Sequence, residues 1–188
     1  MRKALAFPLA LLLALLAFPA LAQTTKEKPA AAPAAGGYRA EILRHIDDAR
    51  DKLIALAEAT PADKLRWRPN DKVRSTSEVF MHVAGGNYFL PTFWGVKPPE
   101  GVSREMEKET DKAKIIDALK KSFEHVHKAI DSVSDADLER TIKLFGQDTT
   151  VREGMMVVAT HAHEHLGQSI AYARMNGIVP PWSAGGGQ

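Results

Sequence analysis

Four stretches of the chain repeat apolar residues at three- and four-residue steps, the spacing that lines one face of an α-helix. The first runs from about Tyr38 to Ala59, with Ile42, Ile46, Ala49, Leu53 and Leu56 on the stripe. Thr60-Pro61 stops it, because the residue before a proline is pushed out of the helical region. The second opens after Arg74, where Ser75 and Glu78 make a capping box, and carries Val79, Phe80, Val83 and Phe89 before ending near Pro91. The third covers about Thr110 to Val133, with Ile115 or Ile116, Leu119, Phe123, Val126 and Ile130 on one stripe. The fourth runs from about Val151 to Asn176 through Met155, Val158, Ala162, Leu166 or Ser169, and Ala173, and the stop is Asn176-Gly177 followed by Pro180-Pro181. Strand signals are confined to a short turn around Ile142–Thr150. The pattern predicts an all-α domain over residues 38–182, a four-helix bundle with one long crossover loop or lid between the second and third helices.

The ends of the chain lack this periodicity. Residues 1–22 combine the basic start Met1-Arg2-Lys3, a Leu/Ala-rich run and the small-residue exit Ala20-Leu21-Ala22, which reads as a secretory signal peptide. An uncleaved membrane anchor is the competing reading, since the apolar run is close to the lower length limit for spanning a bilayer. Residues 23–37 (QTTKEKPAAAPAAGG) are a Pro/Ala-rich spacer that cannot bury enough surface to order itself, and residues 183–188 make a flexible tail. The expected location is periplasmic or secreted, with no membrane contact once the leader is removed.

Charge narrows the partners. The 25 basic side chains, less Arg2 and Lys3 of the leader, match the 23 acidic ones, so the basic sequence pI is partly the leader's own. Lys and Arg are dispersed without a block, which argues against nucleic-acid binding. There is no cysteine, so neither a disulfide, a thiolate nucleophile nor Cys-ligated zinc is available.

Histidine carries the candidate chemistry. His161 and His165 are four residues apart on the fourth helix, about 40° apart around its axis, and so present two imidazoles on one side. His163 points to the opposite side and is expected in solvent. His82 falls on the buried side of the second helix beside Val83, where an imidazole must be hydrogen-bonded or ligated. Ordinary edge or core histidines would give the same pattern without a metal. His45 lies near the inward face of the first helix and could support a metal ligand or face the substrate, or be a boundary residue reaching water. His125 is expected to face water, and His127 is ambiguous. Glu78 could orient His82 or act as a base, although its cap role explains it. Asn87, Tyr88 and Trp94 stand where a bundle cavity would open, or simply pack a helix end; Met155 and Met156 read as core filler.

The block STSEVFMHVA, Ser75 to Ala84, with Trp67-Arg68-Pro69 before it, resembles the second-helix motif of the DinB-like superfamily. The block HAHEHLGQ, His161 to Gln168, followed by RMNGIVPP, Arg174 to Pro181, is similar to that family's last-helix signature. The likeness extends from about Tyr38 to Trp182. It implies a four-helix bundle, often dimeric, in which His82, His161 and His165 take the places of three metal ligands for zinc or nickel, with manganese or iron as further candidates. Glu164 departs from the pattern, because many members have a histidine there.

Three imidazoles with an open coordination position suit a metal-dependent hydrolase or transferase acting on a small molecule. The resemblance also includes thiol-dependent S-transferases, but export weakens that version, since low-molecular-weight thiols are kept reduced mainly in the cytosol. The competing expectations are a non-catalytic metal-binding or stress-related binding protein, and a metal-free interaction module.

Overall fold

The structure, a computed structural model, describes residues 37–185. The expected leader, all of the spacer but Gly37, and residues 186–188 lie outside the described residues. Four helices follow in order: α1 Gly37–Ala59, α2 Thr76–Phe89, α3 Lys112–Asp131 and α4 Val151–Met175. The turn before α4 is an antiparallel hairpin of β1 Thr141–Leu144 and β2 Gln147–Thr150, in the register Thr141 opposite Thr150 and Leu144 opposite Gln147. Among the described residues no helix is long and apolar enough to cross a membrane.

Local chemistry sets the helix ends. Thr60 Oγ1 donates to the Leu56 carbonyl at 2.7 Å as α1 stops before Pro61. At the start of α2 the Ser75 hydroxyl accepts from the Glu78 amide at 3.3 Å, and the Ser75 amide donates to Glu78 Oε2 at 2.7 Å. The incoming chain satisfies two further amides: Thr76 N–H donates to the Trp67 carbonyl at 2.9 Å and Ser77 N–H to the Leu65 carbonyl at 2.8 Å. Asp111 caps α3, Thr150 caps α4, and Gly177 at φ +71° supplies the left-handed residue beyond the α4 C-cap Asn176.

Helix α1 packs on α3 and α4, and so does α2. The α1–α2 and α3–α4 pairs therefore lie across the bundle diagonals, an arrangement periodicity does not reveal. The long α2–α3 connection joins neighbours. It carries two 3-10 turns, Leu90–Trp94 and Arg104–Lys108, and the second folds back onto α2. The predicted α1 stripe is buried throughout, and so are Ile115, Leu119, Phe123, Val126 and Ile130 of α3. On α4 both Leu166 and Ser169 are buried.

Two apolar residues depart from expectation. Phe89 ends α2 at 51% exposure, because the chain turns at Pro91 and leaves its ring stacked edge-on with Phe93 at 5.2 Å, outside the core. Met156, one residue past the α4 stripe, is exposed rather than core filler. Ser183, expected in a flexible tail, closes the 3-10 turn Pro181–Ser183 by donating its amide to the Pro180 carbonyl at 2.8 Å.

Candidate metal centre

His82 of α2 and His161 and His165 of α4 meet where these two helices pack, and one nitrogen of each lies within 4.8 Å of the others. Their ring centroids form a nearly equilateral triangle: 5.1 Å for His82–His161 and 4.7 Å for each of the other two pairs. The four-residue step on α4 supplies two corners, and the packing of α2 on α4 supplies the third. Gly86, one turn beyond His82, makes the approach possible. A Cβ there would stand 2.3 Å from His161 Cε1, so the imidazole occupies the space a side chain would need.

Hydrogen bonds orient two of the rings. His82 Nδ1 lies 2.8 Å from Glu107 Oε1, and His165 Nδ1 lies 2.8 Å from Gln168 Oε1. Each oxygen accepts the Nδ1 hydrogen, which leaves the lone pair on Nε2, the tautomer a metal ligand requires. Glu107 is itself held by Arg74, whose Nε donates to Oε2 at 3.2 Å, and Gln168 donates onward to the Tyr172 hydroxyl at 3.0 Å. Burial of the Glu107 carboxyl opposes its ionisation, but the His82 and Arg74 hydrogen bonds outweigh that and hold it below the usual carboxylate range.

His161 is held differently. Its Nδ1 is buried with no partner, and its Nε2 faces His82 Nε2 at 3.3 Å. That spacing is close to the ~3.4 Å edge of a tetrahedron whose nitrogen corners stand ~2.0–2.1 Å from a common ion. Burial, reinforced by His165, His82 and Arg74, lowers the His161 pKa to about 4, and burial also lowers that of His165. Both rings are neutral at physiological pH, as metal ligation requires. A neutral, three-nitrogen donor set with two tautomers fixed fits a divalent ion, and the triad could hold one.

The other sequence candidates fall elsewhere. Glu78 is taken up by the Ser75 amide and by Arg68 Nη2, 3.1 Å from Oε1, so it serves the cap and not His82. Asn87 is fully buried against α3, donating to Ser122 Oγ at 3.1 Å, and does not face the cavity. Tyr88 does line it. His45 is exposed, and its carbonyl meets His163 Nε2 at 3.0 Å. His163 is accordingly half-buried against α1 instead of solvated, because the side of α4 opposite His161 packs on α1. His125 is half-buried beside Tyr88, ring centroids 5.2 Å apart, rather than in water, and burial lowers its pKa. His127 pairs with Asp47 at 2.5 Å. Trp94 packs, its indole N–H donating to the Ala129 carbonyl at 3.4 Å.

Glu107 is the residue that sequence reasoning misses. It stands in the 3-10 turn Arg104–Lys108 inside a loop without periodicity, and only the fold of that loop brings it to His82. Gln168 left a clearer trace, three residues after His165 on one helix face. A cavity of about 720 Å3 opens onto His82 and His161 between α2 and the α2–α3 connection.

Residues 45–169 match the DinB superfamily, a span that includes all three histidines. No curated protein matches the chain. Two solved structures share the fold: a DinB-like protein from Bacillus cereus ATCC 10987, at 17% identity and TM-score 0.67, and a DinB-like protein from Bacillus subtilis, at 20% identity and TM-score 0.59. Each alignment covers 74% of this chain and 93% of the other.

Proposed function

The chain belongs to the DinB superfamily, and from that membership and the histidine triad we propose an exported, divalent-metal-dependent hydrolase or transferase acting on a small molecule. One observation carries the catalytic half of this reading. Among the described residues the donor cluster contains three histidines and no carboxylate, and two of those histidines border a cavity large enough for a substrate. A storage or purely structural site closes its coordination sphere with protein ligands, whereas a catalytic one keeps a position open. Glu107, the carboxylate that reaches His82, is engaged by His82 Nδ1 and Arg74.

In this reading His82, His161 and His165 hold the ion. Glu107 and Gln168 fix the His82 and His165 rings. When bound, a divalent ion would supply Lewis acidity toward a carbonyl or a water in the cavity. Imidazole suits zinc and nickel, with manganese or iron as alternatives. Export rests on the leader pattern and agrees with a chain free of cysteine. A homodimer is proposed on the family resemblance.

Elemental analysis of protein purified without a histidine tag tests the centre. Stoichiometric metal is expected in the wild type and in His163→Ala, and none in His82→Ala or His165→Ala. Equal loss in all three variants, or a metal-free wild type, would refute the assignment.

A further inference from the structure

The cavity is polar at one end and apolar at the other, and α2 sets the direction. Arg74 precedes the helix, His82 sits in its second turn, and Phe89 closes it; all three line the cavity. At 1.5 Å rise per residue, His82 and Phe89 are ~10 Å apart along the axis. Gly85 and Gly86 form the floor between them without side chains.

We propose that this cavity binds an amphiphilic carboxylate, with its anionic head at the His82 and Arg74 end and its hydrocarbon tail toward Phe89 and Phe145. The head's position rests on the metal-centre reading; the tail's does not. The charge balance selects an anion. The lining holds two guanidinium groups, Arg74 and Arg104, against the single carboxylate of Glu107, which Arg74 and His82 already engage. Arg104 is exposed to solvent and has no ion pair among the described residues, so the lining carries one positive charge without a protein partner. One surplus charge suits a monoanion.

The far end selects a hydrocarbon. Phe89 and Phe145 are 51% and 64% exposed, yet Phe93 joins them into an aromatic row with ring centroids 5.2 and 5.0 Å apart. Phe145 sits at the tip of the β1–β2 hairpin at φ +49°, beside Gly146 at φ +87°. A two-residue primed turn favours Asn-Gly, and a phenylalanine in the first of those positions is strained. It has no core contact to make there, and its ring borders the cavity. Exposed aromatics gathered at a cavity mouth mark a place where apolar ligand surface is covered. The volume, about 720 Å3, falls in the small-molecule range.

Isothermal titration of acetate, butyrate, octanoate and octylamine tests the proposal on purified protein whose metal content has been measured. Affinity is expected to rise about threefold to fourfold per methylene from acetate to octanoate. Octylamine is expected to bind at least about tenfold more weakly than octanoate, having lost a charge-assisted contact. Phe89→Ser with Phe145→Ser should flatten the chain-length series; should that variant unfold by circular dichroism, the wild-type series decides alone. Octanoate binding no tighter than acetate, or octylamine binding as tightly as octanoate, overturns the proposal. If that happens in metal-loaded protein, the metal centre stands and only the ligand class is lost. Chain-length-dependent binding of octanoate to protein that takes up no metal would have the opposite meaning.

Discussion

His161 holds its place through its neighbours' chemistry. Its ring fills the space a Gly86 side chain would occupy, and its Nδ1 has no partner within the bundle. Gly86→Ala therefore separates metal binding from folding. Alanine is the better helix residue by about 0.5–1 kcal/mol, but its Cβ must push the imidazole toward the cavity. The expected outcome is a folded protein, by circular dichroism, whose metal affinity falls by at least about tenfold. Unchanged affinity would mean that His161 is not a ligand. Glu107 offers a second test at this scale. Glu107→Ala removes the acceptor that fixes the His82 tautomer, and a competitive chelator titration should read a 10- to 100-fold loss, roughly, in metal affinity. Glu107→Gln keeps an acceptor oxygen and should recover part of it.

Among the elements, α2 carries the most responsibility for the site. It brings His82 to α4, its end supplies Phe89 to the cavity, and its start receives the α1–α2 connection through the Thr76 and Ser77 amides. The capping box on Ser75 fixes where this helix begins, and with it the register of His82. Ser75→Ala should lower stability in urea unfolding by about 1 kcal/mol, the usual worth of a lost N-cap. No change in the unfolding midpoint would show that the connection alone fixes the start. The α2–α3 connection has the complementary role: its turn Arg104–Lys108 carries Glu107 to His82 and places Met106 beside Gly85. Bundle and connection thus share one candidate site, α2 and α4 giving the three histidines and the connection giving the carboxylate that orients His82.

For the molecule as a whole, burying neutral histidines couples folding to pH. The His161 pKa is about 4 in the folded protein against an ordinary 6.5, so the unfolded chain binds more protons between those values. Stability of the metal-free protein should fall as pH drops from about 6.5 to 4 and level off below for this group, a loss on the order of 3 kcal/mol. Thermal unfolding of wild type and His161→Leu across that window checks it, because the variant should lose much of the slope. A slope as steep in the variant would place the pH dependence elsewhere.

The sequence by itself determined the elements and picked out the three histidines that could hold a metal ion. Periodicity fixes which faces of α1, α3 and α4 are buried, since helical spacing is a local geometric fact, and Ser75 with Glu78 marks the start of α2 in the same local way. His161 and His165 share a face for the same reason. What only the tertiary structure decided depends on residues far apart in the chain. The pairing of helices across the diagonals, the arrival of Glu107 at His82, the packing of His163 on α1 and of His125 on Tyr88, and the outward ring of Phe89 all follow from how helices and loops meet. Periodicity separates a buried face from an exposed one, but it cannot say which neighbour covers a residue, and His163 and His125 are each covered by a helix far away in the chain.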